Sequence, residues 1–181
     1  MSNGTMIVKR DGRREHLDID KIHFVVEHAC SNLAGVSSSQ IEMNANLQFY
    51  DGMSTDEIQE VLIRSANDLI SLDAPNYQYA AARLLSYGLY KQVFGRFDSV
   101  PLKQIIKQNI ERGVYDPEIL DWYTEEEIDR LDSYMHHKRD ENFTYAGLRQ
   151  VVDKYLCQDR SSGGIFETPQ YMYMMIAATL F

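Results

Sequence analysis

Apolar residues recur at helical spacing through most of this chain, and the interruptions mark its turns. Met6-Ile7-Val8-Lys9-Arg10 reads as a short strand, with Arg13 to Leu17 as the strand returning from it. Between them stands Asp11-Gly12, a tight-turn signal because glycine reaches the positive φ that short hairpins require. Ile19, Ile22, Val26, Ala29 and Leu33 then repeat on one helical face, capped by Asp18 or Asp20 and ended by Gly35. A second helix is expected from Ser37–Ser39 to about Tyr50, followed by a turn at Asp51-Gly52. Ser54-Thr55-Asp56-Glu57 is a capping box, so it opens a third helix with Ile58, Val61, Leu62, Ala66 and Ile70 on the buried side. Pro75 suits the first turn of a fourth helix, about Asn76 to Phe94, with Gly95 as its stop.

Residues 96–101 form a connection, and the helical pattern then resumes. Pro101 begins a helix that ends at Gly113, Thr124-Glu125-Glu126-Glu127 is a second capping box, and Thr144 opens a helix to about Lys154. Tyr155-Leu156-Cys157 and Gly164-Ile165-Phe166 flank a polar stretch and read as a second hairpin. Pro169 begins a last helix whose only polar residue after Gln170 is Thr179, so it is expected to be buried on all sides. It carries no cap or polar tail, which suggests a fragment, a split product or a chain that needs a partner. The fold class is mainly α: an N-terminal β-hairpin with four helices in residues 1–95, then a helical domain with a second short hairpin in 96–181.

Composition narrows the function. Across 181 residues, 44% are hydrophobic and 25% charged, which is the balance of a soluble globular protein. The net charge of -9 disfavours bulk attraction to nucleic acid or to an anionic membrane. Residues 1–8 lack the apolar core of a signal peptide, and Tyr171 to Phe181 is too short to span a bilayer. Cys30 and Cys157 are far apart, with no zinc spacing and no CxxC, so a reducing cytoplasm is the simplest setting. Both read as structural thiols. His136-His137 would point in different directions on a helix, which makes a solvated face a better reading than a metal site. Tyr77, Tyr79, Tyr87 and Tyr90 read as packing, not as a base-stacking surface.

The residues best suited to chemistry lie at the hairpin and at helix starts. Lys9 and Arg10 end the first strand, and Lys21 stands in the first turn of the next helix, where free amides and the dipole favour an anion. Thr55 offers a hydroxyl at another helix start, and Lys91 lies late in the fourth helix. Asp11, Glu15, Asp18 and Asp20 interleave with the cations. Two readings are open on these residues: a site holding phosphates at one end and a base or sugar at the other, or a balanced solvated surface.

Val8-Lys9-Arg10-Asp11-Gly12 with Leu17 to Ile22 resembles the start of an ATP-cone, an allosteric nucleotide domain at the front of many ribonucleotide reductases. Asp51 to Thr55, Asp73 to Tyr79 and Ala81-Ala82-Arg83-Leu84 are similar to later parts of the same pattern. Tyr115-Asp116, Tyr123 to Glu127, Phe143-Thr144-Tyr145, Lys154-Tyr155-Leu156 and Gly164 to Gln170 resemble the class I large (alpha) chain. The resemblance covers essentially the whole chain, and the order and spacing of its motifs are specific. It implies a cone that binds ATP as activator and dATP as inhibitor, with Mg²⁺ accompanying the triphosphate. Lys9, Lys21, Thr55 and Lys91 would contact phosphates, with Arg10 assisting. Glu15, His16, Leu17, Asp18, Ile19, Asp20 and Lys21 would border the base and sugar. The implied partners are the remainder of the large chain and a radical-generating small subunit, within an oligomeric enzyme.

Asp18 and Gln59 depart from the pattern, which has Asn and His there. A carboxylate at 18 accepts from an adenine amino group but cannot donate to a ring nitrogen. The reductase cysteines and tyrosine relay of the family belong to a barrel that residues 1–181 do not include, so this chain alone is expected to be inactive in reduction. The alternative is a helical assembly module with a degenerate cone that docks on a separate catalytic chain. A cone-bearing transcriptional repressor fits poorly, since no cysteine-rich zinc ribbon precedes residue 6.

Overall fold

The computed structural model describes residues 5–181 and bears out a mainly α architecture. In chain order the elements are β1 (Met6–Val8), β2 (Arg14–His16), α1 (Ile19–Cys30), α2 (Ser38–Asn46), β3 (Met53–Ser54), α3 (Thr55–Asn67) and α4 (Tyr77–Phe94). They continue with α5 (Leu102–Glu111), α6 (Ile119–Trp122), α7 (Glu125–Ser133), a 3-10 helix (His137–Asn142), α8 (Tyr145–Lys154), β4 (Gln158–Asp159), β5 (Gly164–Ile165) and α9 (Pro169–Leu180). The chain packs as two compact units. The first takes everything up to Gly88 together with Phe143–Arg149, and the second takes Leu89–Asn142 and Gln150–Phe181.

In the first unit, β1 pairs antiparallel with β2 through Met6–His16, Ile7–Glu15 and Val8–Arg14. The turn is one residue longer than a two-residue Asp-Gly turn. Lys9 N donates to Arg13 O and Gly12 N to Lys9 O, enclosing Arg10-Asp11-Gly12, with Gly12 at φ +83. That is the three-residue hairpin loop, in which glycine supplies the left-handed position. A third strand, absent from the pattern-based reading, joins on the other side of β1: β3 runs parallel to it through Ile7–Met53 and Val8–Ser54. Two residues are too few to show a period, but they deliver the chain directly into α3.

Asp18 caps α1 by accepting from Lys21 N, Ser37 caps α2, and Ser54 with Glu57 closes the capping box of α3. α1 packs on α2 and α2 on α3, burying Ile22, Val26, Ala29, Ile41, Ala45, Ile58, Leu62 and Ala66. α1 stops at Cys30, short of Gly35, and α2 stops at Asn46, short of Tyr50. The early end of α1 has a visible cause. Asn32 adopts φ +59, and Arg83 Nη1 donates to the carbonyls of Ala29 at 3.2 Å and Ser31 at 2.7 Å, which satisfies the helix end.

In the second unit α5 packs on α7, and Asp132 Oδ1 accepts from Leu102 N at 2.8 Å to cap α5. Thr124 and Glu127 form the second capping box. Tyr171 is fully buried, and its hydroxyl both accepts from Val100 N and donates to Val100 O. β4 begins later than the expected first strand, whereas β5 begins at Gly164 as expected, and Cys157 O accepts from Phe166 N at the open end of the hairpin. α9 is not buried all round, contrary to the expectation from its composition. Tyr171, Met172 and Met175 face the core, whereas Tyr173 is 47%, Ile176 48% and Leu180 69% exposed. One face of the helix exhausts the packing that this unit supplies. Among the described residues no helix is long and apolar enough to cross a membrane.

Candidate functional site

The two halves of the first unit's hairpin edge each bring cations to a helix start. On one side the pleat places Ile7 and Glu15 on a common face and His16 on the other, since neighbours in a strand alternate. Lys9 follows Ile7 by two residues and lies on the Glu15 side, where its Nζ is 2.9 Å from Glu15 Oε1. Leu17 N donates to Thr5 O, which extends the ladder before the chain turns into α1. Asp18 then caps that helix through Lys21 N, and its other oxygen meets Lys21 Nζ at 3.0 Å. Ile19 is 51% exposed beside it, and Asp20 is exposed in the first turn.

On the other side, β1 pairs in parallel with β3 as far as Val8–Ser54, the residue before α3 begins. Thr55 is the first residue of α3. Arg10 Nε lies 2.8 Å and its Nη2 2.7 Å from Asp56 Oδ1, so the hairpin tip is clasped to the start of α3. Lys9, Arg10, Thr55, Glu15, Asp18 and Lys21 therefore share one edge of the first unit.

The charges on this edge are mutually adjusted. The Lys9 hydrogen bond holds the Glu15 carboxyl below its ordinary value, with the positive charges of Lys9, Lys21 and Arg13 adding to it. Asp18 is lowered by its hydrogen bonds from the Lys21 side chain and backbone, and Lys21 is raised in turn by Asp18 and then Glu15. Each of these groups is at least partly open to solvent, so the ion pairs are weak and exchangeable. Chemically the edge presents three cations, a hydroxyl and a helix start. That set matches a polyphosphate, which would take over cations now shared with carboxylates.

Lys91 belongs to the second unit, in the last turn of α4, with its ammonium 4.6 Å from the centroid of the Phe97 ring. Gln59 is committed to packing. Its Nε2 donates to Leu84 O at 2.7 Å, and a Cβ added to Gly88 would come within 3.1 Å of its Cγ. Asp56 was not singled out as a site residue by the sequence, because only its contact with Arg10 in the folded chain brings it to this edge.

Cys30 and Cys157 are both half-buried, and burial pushes their thiols up to about 11 and about 12 respectively. His136 is exposed, whereas His137 is half-buried with its ring 5.0 Å from that of Tyr171. Among the described residues no group of three or more His, Cys, Asp or Glu side chains is placed to hold a metal. Tyr77 and Tyr90 are buried, and Tyr77 donates to Gln40 Oε1 at 2.6 Å.

Comparison with known proteins finds matches to two families along the chain. Residues 5–92 match the family described as the ATP cone domain, and residues 141–181 match the family described as the ribonucleotide reductase all-alpha domain. The whole chain is 45% identical to ribonucleoside-diphosphate reductase 1 subunit alpha of Salmonella typhimurium and 44% identical to that of Escherichia coli, over 24% of each relative. It is also 39% identical, over 176 residues, to the ribonucleoside-diphosphate reductase subunit alpha of Enterobacteria phage T4, covering 96% of this chain and 23% of that one. The chain thus spans about a quarter of the length of the curated relatives it matches.

Proposed function

We propose that this chain, whose residues 5–92 match the ATP cone domain and whose residues 141–181 match the ribonucleotide reductase all-alpha domain, is the nucleotide-sensing front of a ribonucleoside-diphosphate reductase alpha subunit. We assign residues 1–95 to the cone and 96–181 to the helical domain that follows it. ATP and dATP are the effectors, and the difference between them regulates the overall activity of the enzyme. The observation that carries this reading is the edge on which Lys9, Lys21 and Thr55 come together with Arg10. Lys9, Arg10, Lys21, Thr55 and Lys91 take the phosphates. Glu15, His16, Leu17, Asp18, Ile19 and Asp20 border the nucleoside.

Mg²⁺ enters with the triphosphate. The carboxylates of Glu15 and Asp18 are free to move when phosphate takes their cations, because both lie in solvent-exposed pairs. Asp18 is also the cap of α1, so exchange at Lys21 acts on the start of that helix. A ligand controls an assembly only as far as it binds one state better than another. The effect on α1 is one route to such a difference. We place the reduction chemistry outside residues 1–181, in a complete cytoplasmic enzyme that includes the rest of the large chain and a radical-generating small subunit.

The test is made in a full-length alpha subunit carrying this segment, assayed with its small subunit under ATP and under dATP. The expected result is activation by ATP and inhibition by dATP, with both responses blunted by Lys9→Ala and Lys21→Ala. Unchanged responses in those variants would remove the site from the regulation.

A further inference from the structure

The Arg10–Asp56 pair uses one edge of a two-edged group. A guanidinium has five N–H donors in a fixed plane. Here Nε donates to Asp56 Oδ1 at 2.8 Å, and Nη2 lies 2.7 Å from the same oxygen as an ion-pair contact. Nη1 takes no part in the clasp. The three N–H groups outside it, two on Nη1 and one on Nη2, form the end of the fork that matches two phosphate oxygens. The backbone supports the same arrangement. β1 pairs with β3 only as far as Val8–Ser54, so Lys9 and Arg10 lie beyond the last paired residue of that ladder. The clasp is a side-chain tie between the hairpin tip and the first turn of α3.

We propose that Asp56 is a positioning residue for nucleotide phosphates: it fixes Arg10 by the Nε edge and presents the Nη1 end to the phosphate. This rests on the nucleotide site proposed above. Asp56 also places a negative charge near the phosphates, which opposes binding. At this exposure solvent screens that repulsion, whereas the aim of the guanidinium depends on the contact itself. The positioning effect therefore dominates, and it is modest because exposed ion pairs are weak.

The experiment is calorimetric titration of the 181-residue chain with Mg·ATP, comparing wild type, Asp56→Asn, Arg10→Ala, Arg10→Lys and the Arg10→Ala/Asp56→Asn double variant. Asp56→Asn should weaken binding about threefold, and Arg10→Ala about tenfold. Arg10→Lys should behave like Arg10→Ala, because an ammonium cannot serve both partners as a fork does. In the Arg10→Ala background Asp56→Asn should change nothing, which a merely structural role for Asp56 would not predict. Thermal melts of all five proteins guard against loss of fold. Binding that is unchanged or tighter in Asp56→Asn overturns the proposal, as does an Asp56→Asn effect that persists without Arg10. A wild-type chain that binds no nucleotide overturns the site itself, a different and recognisable outcome.

Discussion

The Asp140 carboxylate accepts the Gln170 side-chain amide at 2.8 Å inside the second unit, where Asp140 is 2% exposed. Tyr90 donates to its other oxygen at 3.3 Å. Both donors are neutral. They favour the carboxylate, but burial outweighs them and pushes the Asp140 acid from 3.8 to about 6.

A folded-state value above the unfolded one means that the native protein binds the proton more tightly. Stability then falls as pH rises from about 4 to about 6 and levels off above that range. The full span is on the order of 3 kcal/mol, from about two units at 1.36 kcal/mol each. Asp140→Asn keeps an acceptor for Gln170 and removes the charge. Urea unfolding should find it more stable than wild type at pH 7.5, with the difference closing towards pH 4. A difference that does not vary with pH would contradict this account. Comparing the two proteins at each pH cancels carboxylates of opposite sign, such as Asp159, which Ser162 and Ser161 hold at about 2.

The reciprocal caps at Ser54–Glu57 and Thr124–Glu127 each satisfy two amides at a helix start. Ser54→Ala and Thr124→Ala should each destabilise the unit that contains them by about 1 kcal/mol. Denaturant midpoints measure this. Ser37→Ala should cost less, because its hydrogen bond to Gln40 N is 3.4 Å long.

Both thiols should be slow to alkylate. With Cys30 at about 11 and Cys157 at about 12, about one part in a thousand or less is thiolate at pH 8. Iodoacetamide labelling followed by mass spectrometry should show protection of both in the native chain and rapid reaction in urea. Native labelling of either at the rate of an unfolded cysteine would place it in a different environment.

Most helices were legible because caps and apolar spacing agree at their starts. Asp18, Ser37, Ser54 and Thr124 all cap where the pattern places them. Helix ends were less legible. Arg83 closes α1 from a position 54 residues from Ala29, and no local signal announces that. β3 was missed for want of length, and with it the parallel pairing that ends at Val8–Ser54, just before the hairpin tip and α3. The cations of the site could be read one by one, from a strand end and from helix starts. Which carboxylate each would choose depends on tertiary placement, so Lys9–Glu15 and Arg10–Asp56 emerge only in three dimensions. Gln59 stood out as a departure in a nucleotide pattern, and in the fold its amide secures the Leu84 carbonyl of α4.

The central claim is that the Lys9–Lys21 edge binds an adenine nucleotide, and equilibrium binding tests it most directly. Titration of the chain with Mg·ATP and with Mg·dATP, alongside Lys9→Ala and Lys21→Ala, should show saturable binding of both nucleotides to the parent. Each variant should lose about tenfold or more in affinity, as expected for a charge-assisted phosphate contact. Parent protein that is folded yet silent with both nucleotides, or variants that bind as tightly as the parent, would contradict the account.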